Sequence, residues 1–180
     1  MCIRDSVKEH GRLDTEVAVS YMLQAARGLQ AAHSRGMVHR DVKPANMMVS
    51  DDGIVKVADL GLVKVSGVDD IAADGSDAEL LSTARSNITL ANVALGTAAF
   101  MAPEQSEDAA AVDHRADIYS LGCTLYSLIT GQTPFQGTTA LEVISKHRSE
   151  PIIRPDAVAK HVPKGPVSYT HLTLPTTPYV

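Results

Sequence analysis

Residues 39–46, HRDVKPAN, and the triplet DLG at residues 59–61 decide the fold of this chain. The first run places Asp41, Lys43 and Asn46 in one short polar stretch, whose proline prevents simple continuation of a helix. This stretch brings a carboxylate, an ammonium group and a carboxamide close together in sequence. Such a combination indicates a functional loop rather than part of a helix or strand.

A hairpin is predicted between these two runs. Residues 47–49, MMV, and 54–57, IVKV, are short strand-like segments. The DDG sequence at 51–53 is a strong turn signal, because glycine tolerates the positive φ of a tight turn. The second strand should therefore deliver Asp59 beside the polar loop.

Four side chains in this region could together transfer a phosphoryl group. Asn46 and Asp59 offer the hard oxygen ligands suited to Mg²⁺, which also keeps substrate phosphates in its shell. Asp41 could accept a proton from a hydroxyl group, or orient that hydroxyl for attack. Lys43 could neutralise the negative charge that develops on a transferring phosphoryl group. Any one of these residues alone is better explained as a solvated loop residue or a turn former. Their joint spacing favours the functional interpretation.

Helices are predicted on both sides of the loop. Residues 17–34 form an amphipathic pattern that Asp14 or Thr15 can cap and that ends near Gly36. The apolar face of this helix is expected to hold Val19, Met22, Leu23, Ala26, Leu29 and His33.

The second half of the chain is also predicted to be helical. A short helix should begin near Pro103, and another should occupy residues 139–148. Between them, residues 117–130 are expected to form a buried central helix ended by Gly131, with apolar positions Ile118, Leu121, Leu125, Leu128 and Ile129. Residues 66–93, rich in Ala, Ser and Asp, are predicted to form a long exposed loop.

Four motifs in order resemble those of the protein kinase family. Residues 39–46 match the catalytic loop H-R-D-x-K-x-x-N, and DLG stands where the family has D-F-G. APE at 102–104 matches the A-P-E motif, and DIYSLG at 117–122 resembles the start of the family's central helix. The residues in these motifs look most like those of bacterial serine/threonine kinases of eukaryotic type. The resemblance implies an α+β protein-kinase fold, present here as a mainly α-helical C-terminal lobe with a short β-hairpin and without the N-terminal lobe.

The resemblance also implies a role for each motif residue. Asp41 would be the catalytic aspartate, and Lys43 would contact the γ-phosphate of ATP. Asn46 and Asp59 would bind the Mg²⁺ or Mn²⁺ ions that bridge the ATP phosphates. Met48 would form part of the floor under the adenine ring.

Other positions would be regulatory or structural. Arg40 would pair with a phosphorylated residue of the activation loop, where the candidate acceptors are Ser82, Thr83, Ser86 and Thr89. Thr97 resembles the threonine that touches the catalytic lysine and aspartate. Structural roles are expected for His39, Glu104 and Asp117.

The implied activity is that of a non-specific serine/threonine protein kinase acting on protein substrates with ATP. Lys43 favours serine and threonine, since tyrosine kinases usually lack this lysine. The chain shows no Gly-rich loop and no V-A-I-K lysine, so it is expected to be inactive alone. A pseudokinase that scaffolds partners is the alternative. An unrelated nucleotidyl hydrolase is disfavoured, because the sequence has no G-x-x-x-x-G-K-[ST] loop.

Composition narrows the remaining possibilities. Apolar residues make up 44% of the 180 residues, the net charge is −5, and the pI of about 5.7 gives no general basic surface for nucleic acid. Two cysteines are too few for a disulfide framework, and no apolar run approaches the roughly 20 residues that span a bilayer. A cytoplasmic kinase part is therefore expected, whose parent protein could still carry a membrane anchor.

Both ends of the chain look foreign to the domain. Residues 1–6 and the Thr/Pro-rich residues 166–180 resemble translated sequencing adapter and are left out of the predicted fold, although a real Pro-rich tail is an alternative for the second. The partial kinase C-lobe is thereby predicted over residues 7–165.

Overall fold

The computed structural model describes residues 2–59, 64–65, 95–106 and 112–163. Over these ranges the longer helices are α1 (Ile3–His10), α2 (Thr15–His33), α3 (His114–Thr130), α4 (Ala140–Ser149) and α5 (Pro155–Val158). Two 3-10 helices, Pro44–Asn46 and Pro103–Ser106, and a helical turn at residues 95–98 add to them. The strands are β1 (Met37–Val38), β2 (Met47–Val49), β3 (Val55–Val57) and β4 (Lys64–Val65).

The strands form two small antiparallel sheets within the described ranges. In the β2–β3 hairpin Met47 lies opposite Val57 and Val49 opposite Val55, and Gly53 in the turn has φ of 75°. The predicted hairpin is thus confirmed, although its second strand begins one residue later than expected. The other sheet pairs β1 with β4.

Helix α2 supports the hairpin. It begins after Asp14, whose side chain accepts the N–H of Glu16 and caps the helix as predicted. Gln24 donates from Nε2 to the carbonyl of Gly53 at 3.2 Å and accepts the N–H of Val55 at 3.0 Å. These two hydrogen bonds hold the turn of the hairpin and the start of β3 against the helix.

The predicted apolar face of α2 is wrong at two positions. Val19 and Leu23 are 40% and 57% exposed, whereas the buried residues of the helix are Ala18, Met22, Ala25 and Leu29. The buried face of α2 is therefore centred on a stripe that contains Ala18 and Ala25. Their small side chains allow β3 and α3 to approach the helix closely.

Cys2 and Ile3, which lie in the segment predicted to be non-native, contact the rest of the fold. Ile3 is 0% exposed and belongs to the same core cluster as Met47 and Leu128. The thiol of Cys2 donates to the carbonyls of Pro44 and Ala45 at 3.3 Å each. Burial of apolar surface is favourable whatever the origin of the residue, so this packing does not test the assignment of these residues as non-native. That assignment stays a prediction.

Helix α3 forms the centre of the fold, as predicted, but begins earlier, at His114. Asp113 caps it by accepting the N–H of Arg115, and Gly131 ends it in the left-handed conformation with φ of 76°. Leu128 and Ile129 are buried, whereas Ile118 is 43% exposed. The other buried residues of α3 are two tyrosines, Tyr119 and Tyr126, and a set of residues with small side chains. Within the described residues no helix is long and apolar enough to cross a membrane.

A buried histidine joins α4 to α3. His147 is 7% exposed, and its Nδ1 lies 2.7 Å from the hydroxyl of Tyr119. Its ring also packs edge-on against Phe135 with centroids 4.7 Å apart. Burial lowers the pKa of His147 to about 4, although the backbone carbonyls of Ala98 and Ala99 act in the opposite direction.

The lowered pKa of His147 predicts a specific loss of stability in acid. The unfolded chain protonates this side chain near its ordinary pKa of 6.5, whereas the folded chain does so only near 4. The free energy of unfolding should therefore fall by about 3 kcal/mol as pH drops from about 6.5 to about 4. In His147→Gln this part of the pH dependence should be missing, which urea unfolding at pH 7 and pH 4.5 would measure. The exposed His161→Gln is the control, and an equal pH dependence in both variants would contradict the expectation.

Candidate active site

Three of the predicted site residues meet around one carboxylate oxygen. Oδ2 of Asp41 lies 2.7 Å from Nζ of Lys43 and 2.9 Å from Nδ2 of Asn46. The same amide nitrogen of Asn46 donates to the backbone carbonyl of Asp41 at 2.8 Å. Asn46 is buried, while the side chains of Asp41 and Lys43 are 15% and 19% exposed. The loop thus presents a partly shielded ion pair whose geometry is set by a buried amide.

Thr97 reaches this pair from a distant part of the sequence. It lies in the helical turn at residues 95–98, and its Oγ1 accepts a hydrogen bond from Nζ of Lys43 at 3.0 Å. The lysine ammonium therefore bridges the Asp41 carboxylate and the Thr97 hydroxyl. This contact joins the loop to the segment that precedes the second 3-10 helix.

Asp59 is held near the loop by backbone pairing. The N–H of Ala58 donates to the carbonyl of Asn46 at 2.7 Å, and the carbonyl of Ala58 accepts from Nε2 of His39 at 2.9 Å. Asp59 itself is exposed and has φ of 62°, a left-handed conformation that is uncommon outside glycine. The hairpin therefore places the backbone of the exposed Asp59 one residue after the contact with Asn46.

Asn46 and Asp59 carry oxygen atoms of the kind that a divalent metal ion bound to phosphate prefers. Both contacts of the Asn46 side chain use its nitrogen, so its amide oxygen is the atom that a metal would bind. The described part of the chain contains no cluster of three or more His, Cys, Asp or Glu side chains that could hold a metal. Two protein oxygens suit Mg²⁺, which takes its other ligands from water and phosphate.

Asp117 ties the loop to the central helix. Its side chain is 0% exposed, and its two oxygens accept the N–H groups of His39 and Arg40 at 2.8 and 2.7 Å. Oδ2 also lies 2.7 Å from Nε2 of His33. The carboxylate stands in the first turn of α3, where the helix dipole favours negative charge. The contact with His33 was missed by the sequence pattern, which assigned that residue only to an apolar face.

Arg40 adopts a left-handed backbone conformation, which is stable only if its surroundings restrain it. Its φ is 68°, and a side chain in this region costs of order 1–3 kcal/mol. Nη2 donates to the carbonyl of Val112 at 3.3 Å, while the buried Nε has no hydrogen-bond partner among the described residues. The side chain therefore keeps donor capacity for a further acceptor.

Gln105 is a contact residue that sequence reasoning missed. Its Oε1 accepts the N–H of Ala102 at 2.9 Å, and its Nε2 donates to the carbonyl of Arg40 at 2.8 Å. The spacing offered a signal, because a glutamine three residues after the start of a helical turn can reach back to that N–H. The contact with Arg40 joins positions far apart in the chain and has no such signal.

The remaining predicted residues are distributed around this centre. Met48 is 43% exposed on β2, and His39 is buried at 1%. Oε2 of Glu104 is buried and without a hydrogen-bond partner in the ranges that the structure covers. Leu60 and Gly61 of the DLG triplet and the predicted phosphoacceptors lie outside the described residues; the latter are Ser82, Thr83, Ser86 and Thr89. Their roles stay predictions.

Comparison with known proteins places this geometry in context. Residues 2–167 match the family described as the protein kinase domain. The chain is 40% identical over 161 residues to the serine/threonine-protein kinase PknL of Mycobacterium tuberculosis, covering 89% of this chain and 36% of PknL. It is 37% identical over 163 residues to a probable serine/threonine-protein kinase of Clostridium perfringens, covering 91% of this chain and 21% of that relative. The chain therefore spans about a fifth to a third of the length of these relatives.

Asp117→Asn should destabilise the fold and loosen the loop. The substitution puts an amide N–H₂ where one oxygen now accepts a buried N–H, so at least one hydrogen bond is lost and two donors face each other. We expect the free energy of unfolding to fall by about 2–4 kcal/mol, measured by urea titration. Asp113→Asn on the same helix is the matched control, since asparagine caps helices as well as aspartate. Equal stability of the two variants would show that the buried carboxylate does not hold the loop.

Proposed function

This chain belongs to the protein kinase family, among its bacterial-type serine/threonine members, and from that premise we propose that it supplies the phosphoryl-transfer half of such a kinase. The observation that carries the proposal is the position of Lys43, whose ammonium lies between the Asp41 carboxylate and the Thr97 hydroxyl. An ammonium placed beside the carboxylate that receives the substrate hydroxyl is positioned for the charge that develops on a transferring phosphoryl group.

Asp41 would orient the attacking hydroxyl through its second oxygen. Lys43 and Asn46 both bind Oδ2, so Oδ1 is the carboxylate oxygen left for the substrate. A serine or threonine hydroxyl that donates to Oδ1 would have its oxygen directed at the γ-phosphate of ATP. As the oxygen–phosphorus bond forms, the hydroxyl proton passes toward Asp41 and the bond to ADP breaks.

The proposed cofactors are ATP and Mg²⁺ or Mn²⁺. The amide oxygen of Asn46 and the carboxylate of Asp59 would hold the metal, which when bound supplies positive charge to the ATP phosphates. The exposed side chain of Met48 on β2 would contribute to the surface beneath adenine. Proteins with accessible serine or threonine residues would be the substrates, and Lys43 is the residue that favours this class over tyrosine.

The described chain is proposed to be a C-terminal lobe over residues 7–165 that cannot transfer phosphate alone. Its residues can position the metal and the substrate hydroxyl, but the sequence contains no Gly-rich loop or V-A-I-K lysine to hold ATP from the other side. Asp41, Lys43, Asn46 and Asp59 are all present, which supports an enzyme over a pseudokinase scaffold.

We expect the 180-residue chain to show no phosphate transfer by itself, and a fusion that supplies the N-terminal lobe of a relative such as PknL to phosphorylate a protein substrate. Transfer from radiolabelled ATP to a basic test protein would be measured for both. In the fusion, Asp41→Asn should lower kcat by roughly 10²- to 10⁴-fold, because the hydroxyl loses the carboxylate that orients it.

The matched control for Asp41→Asn is Asp51→Asn in the exposed turn of the hairpin, which should retain full activity. Transfer by the purified chain alone that Asp41→Asn abolishes would overturn the proposal that the chain is incomplete. An active fusion that Asp41→Asn does not slow would overturn the assignment of Asp41.

A further inference from the structure

Residue 40 is held on both sides by side chains from other parts of the fold. Its N–H is bound by Asp117 at 2.7 Å, and its carbonyl is bound by Gln105 at 2.8 Å. A left-handed residue that is not glycine persists only where its surroundings over-determine it. Because Asp41 follows directly, the direction of the Arg40–Asp41 peptide sets where the Asp41 side chain begins.

A second hydrogen bond, within its own segment, orients the Gln105 side chain for the contact with Arg40. Its Oε1 caps the second 3-10 helix by accepting the N–H of Ala102, which directs the side-chain carbonyl toward that N–H. The nitrogen of the same amide must then point away from Ala102, and it meets the Arg40 carbonyl. The carboxamide thus uses both its oxygen, as an acceptor, and its nitrogen, as a donor.

The contact also joins two parts of the site. Thr97, whose hydroxyl accepts from the Lys43 ammonium, and Gln105 both lie in residues 95–106, before and after the turn at residues 99–100. One short segment therefore contacts the loop twice, at Lys43 and at the Arg40 carbonyl. Displacement of that segment would disturb both contacts.

We propose that Gln105 is a positioning residue for phosphoryl transfer, which holds the Arg40–Asp41 peptide and couples residues 95–106 to the orientation of Asp41. The role in the reaction rests on the kinase function proposed above; the contact itself does not. A glutamate at this position keeps the acceptor for Ala102 but replaces the donor by an oxygen that repels the Arg40 carbonyl. Methionine has similar length and removes both hydrogen bonds.

The first test uses the full chain and its Asp41 amide resonance. That N–H belongs to the same peptide unit as the Arg40 carbonyl, so loss of the hydrogen bond from Gln105 should shift its ¹⁵N signal. In Gln105→Glu the shift at Asp41 should exceed that of any amide outside residues 101–106, and in Gln105→Met the Ala102 amide should shift as well. Gln136→Glu, an equal change of charge on the exposed surface, should leave Asp41 unmoved. An Asp41 signal unchanged in Gln105→Glu would overturn the proposal.

The second test measures kinetics in the fusion with an N-terminal lobe. Gln105→Glu should lower kcat by roughly 10- to 100-fold, because a small misplacement of the reacting groups is costly, while KM for ATP stays within about twofold. The positioning role would be overturned if the loss of activity matched a loss of folded protein, so that kcat per folded molecule stayed the same. It would also be overturned if kcat were unchanged while the Asp41 signal shifted. A wild-type fusion that fails to transfer phosphate, while Asp41 still responds to Gln105→Glu, would count against the proposed function and not against the contact.

Discussion

The buried carboxylate of Asp117 is the interaction on which the site depends. A charged group with 0% exposure is tolerated only if donors replace the water it has lost, and here two backbone N–H groups and the ring of His33 do so. The same donors belong to the polar loop and to α2. The electrostatic requirement of one side chain therefore fixes the loop, α2 and α3 relative to one another.

The backbone of the site is strained at two residues in this arrangement. Arg40 and Asp59 are the two residues other than glycine with positive φ in the described ranges, and they stand at the two ends of the site. Strained backbone of this kind is stable only where packing and hydrogen bonds remove the alternatives. At Arg40 those restraints are visible, since Asp117 binds its N–H and Gln105 its carbonyl. The cost is met by contacts that also direct Asp41.

The sequence predicts the elements of this fold better than their packing. Helix α2, the hairpin and the central helix follow from periodicity and capping, which are local properties. The buried face of α2 was misassigned at Val19 and Leu23, because spacing alone does not show that Ala18 and Ala25 leave room for β3 and α3. Ile3 belongs to the terminal residues predicted to be non-native, and its burial leaves that prediction untested because burying apolar surface is favourable whatever the origin of the residue.

The same distinction explains which site residues could be found from sequence. Asp41, Lys43 and Asn46 lie within six consecutive residues, so their contacts are a local consequence of the loop. The groups that hold the loop come from far away: Asp117 and Gln105 bind Arg40 across 77 and 65 positions. No local pattern encodes such pairings, and they form only when α3 and residues 95–106 have packed. The loop motif thus identifies the chemistry, but its geometry is a property of the folded chain as a whole.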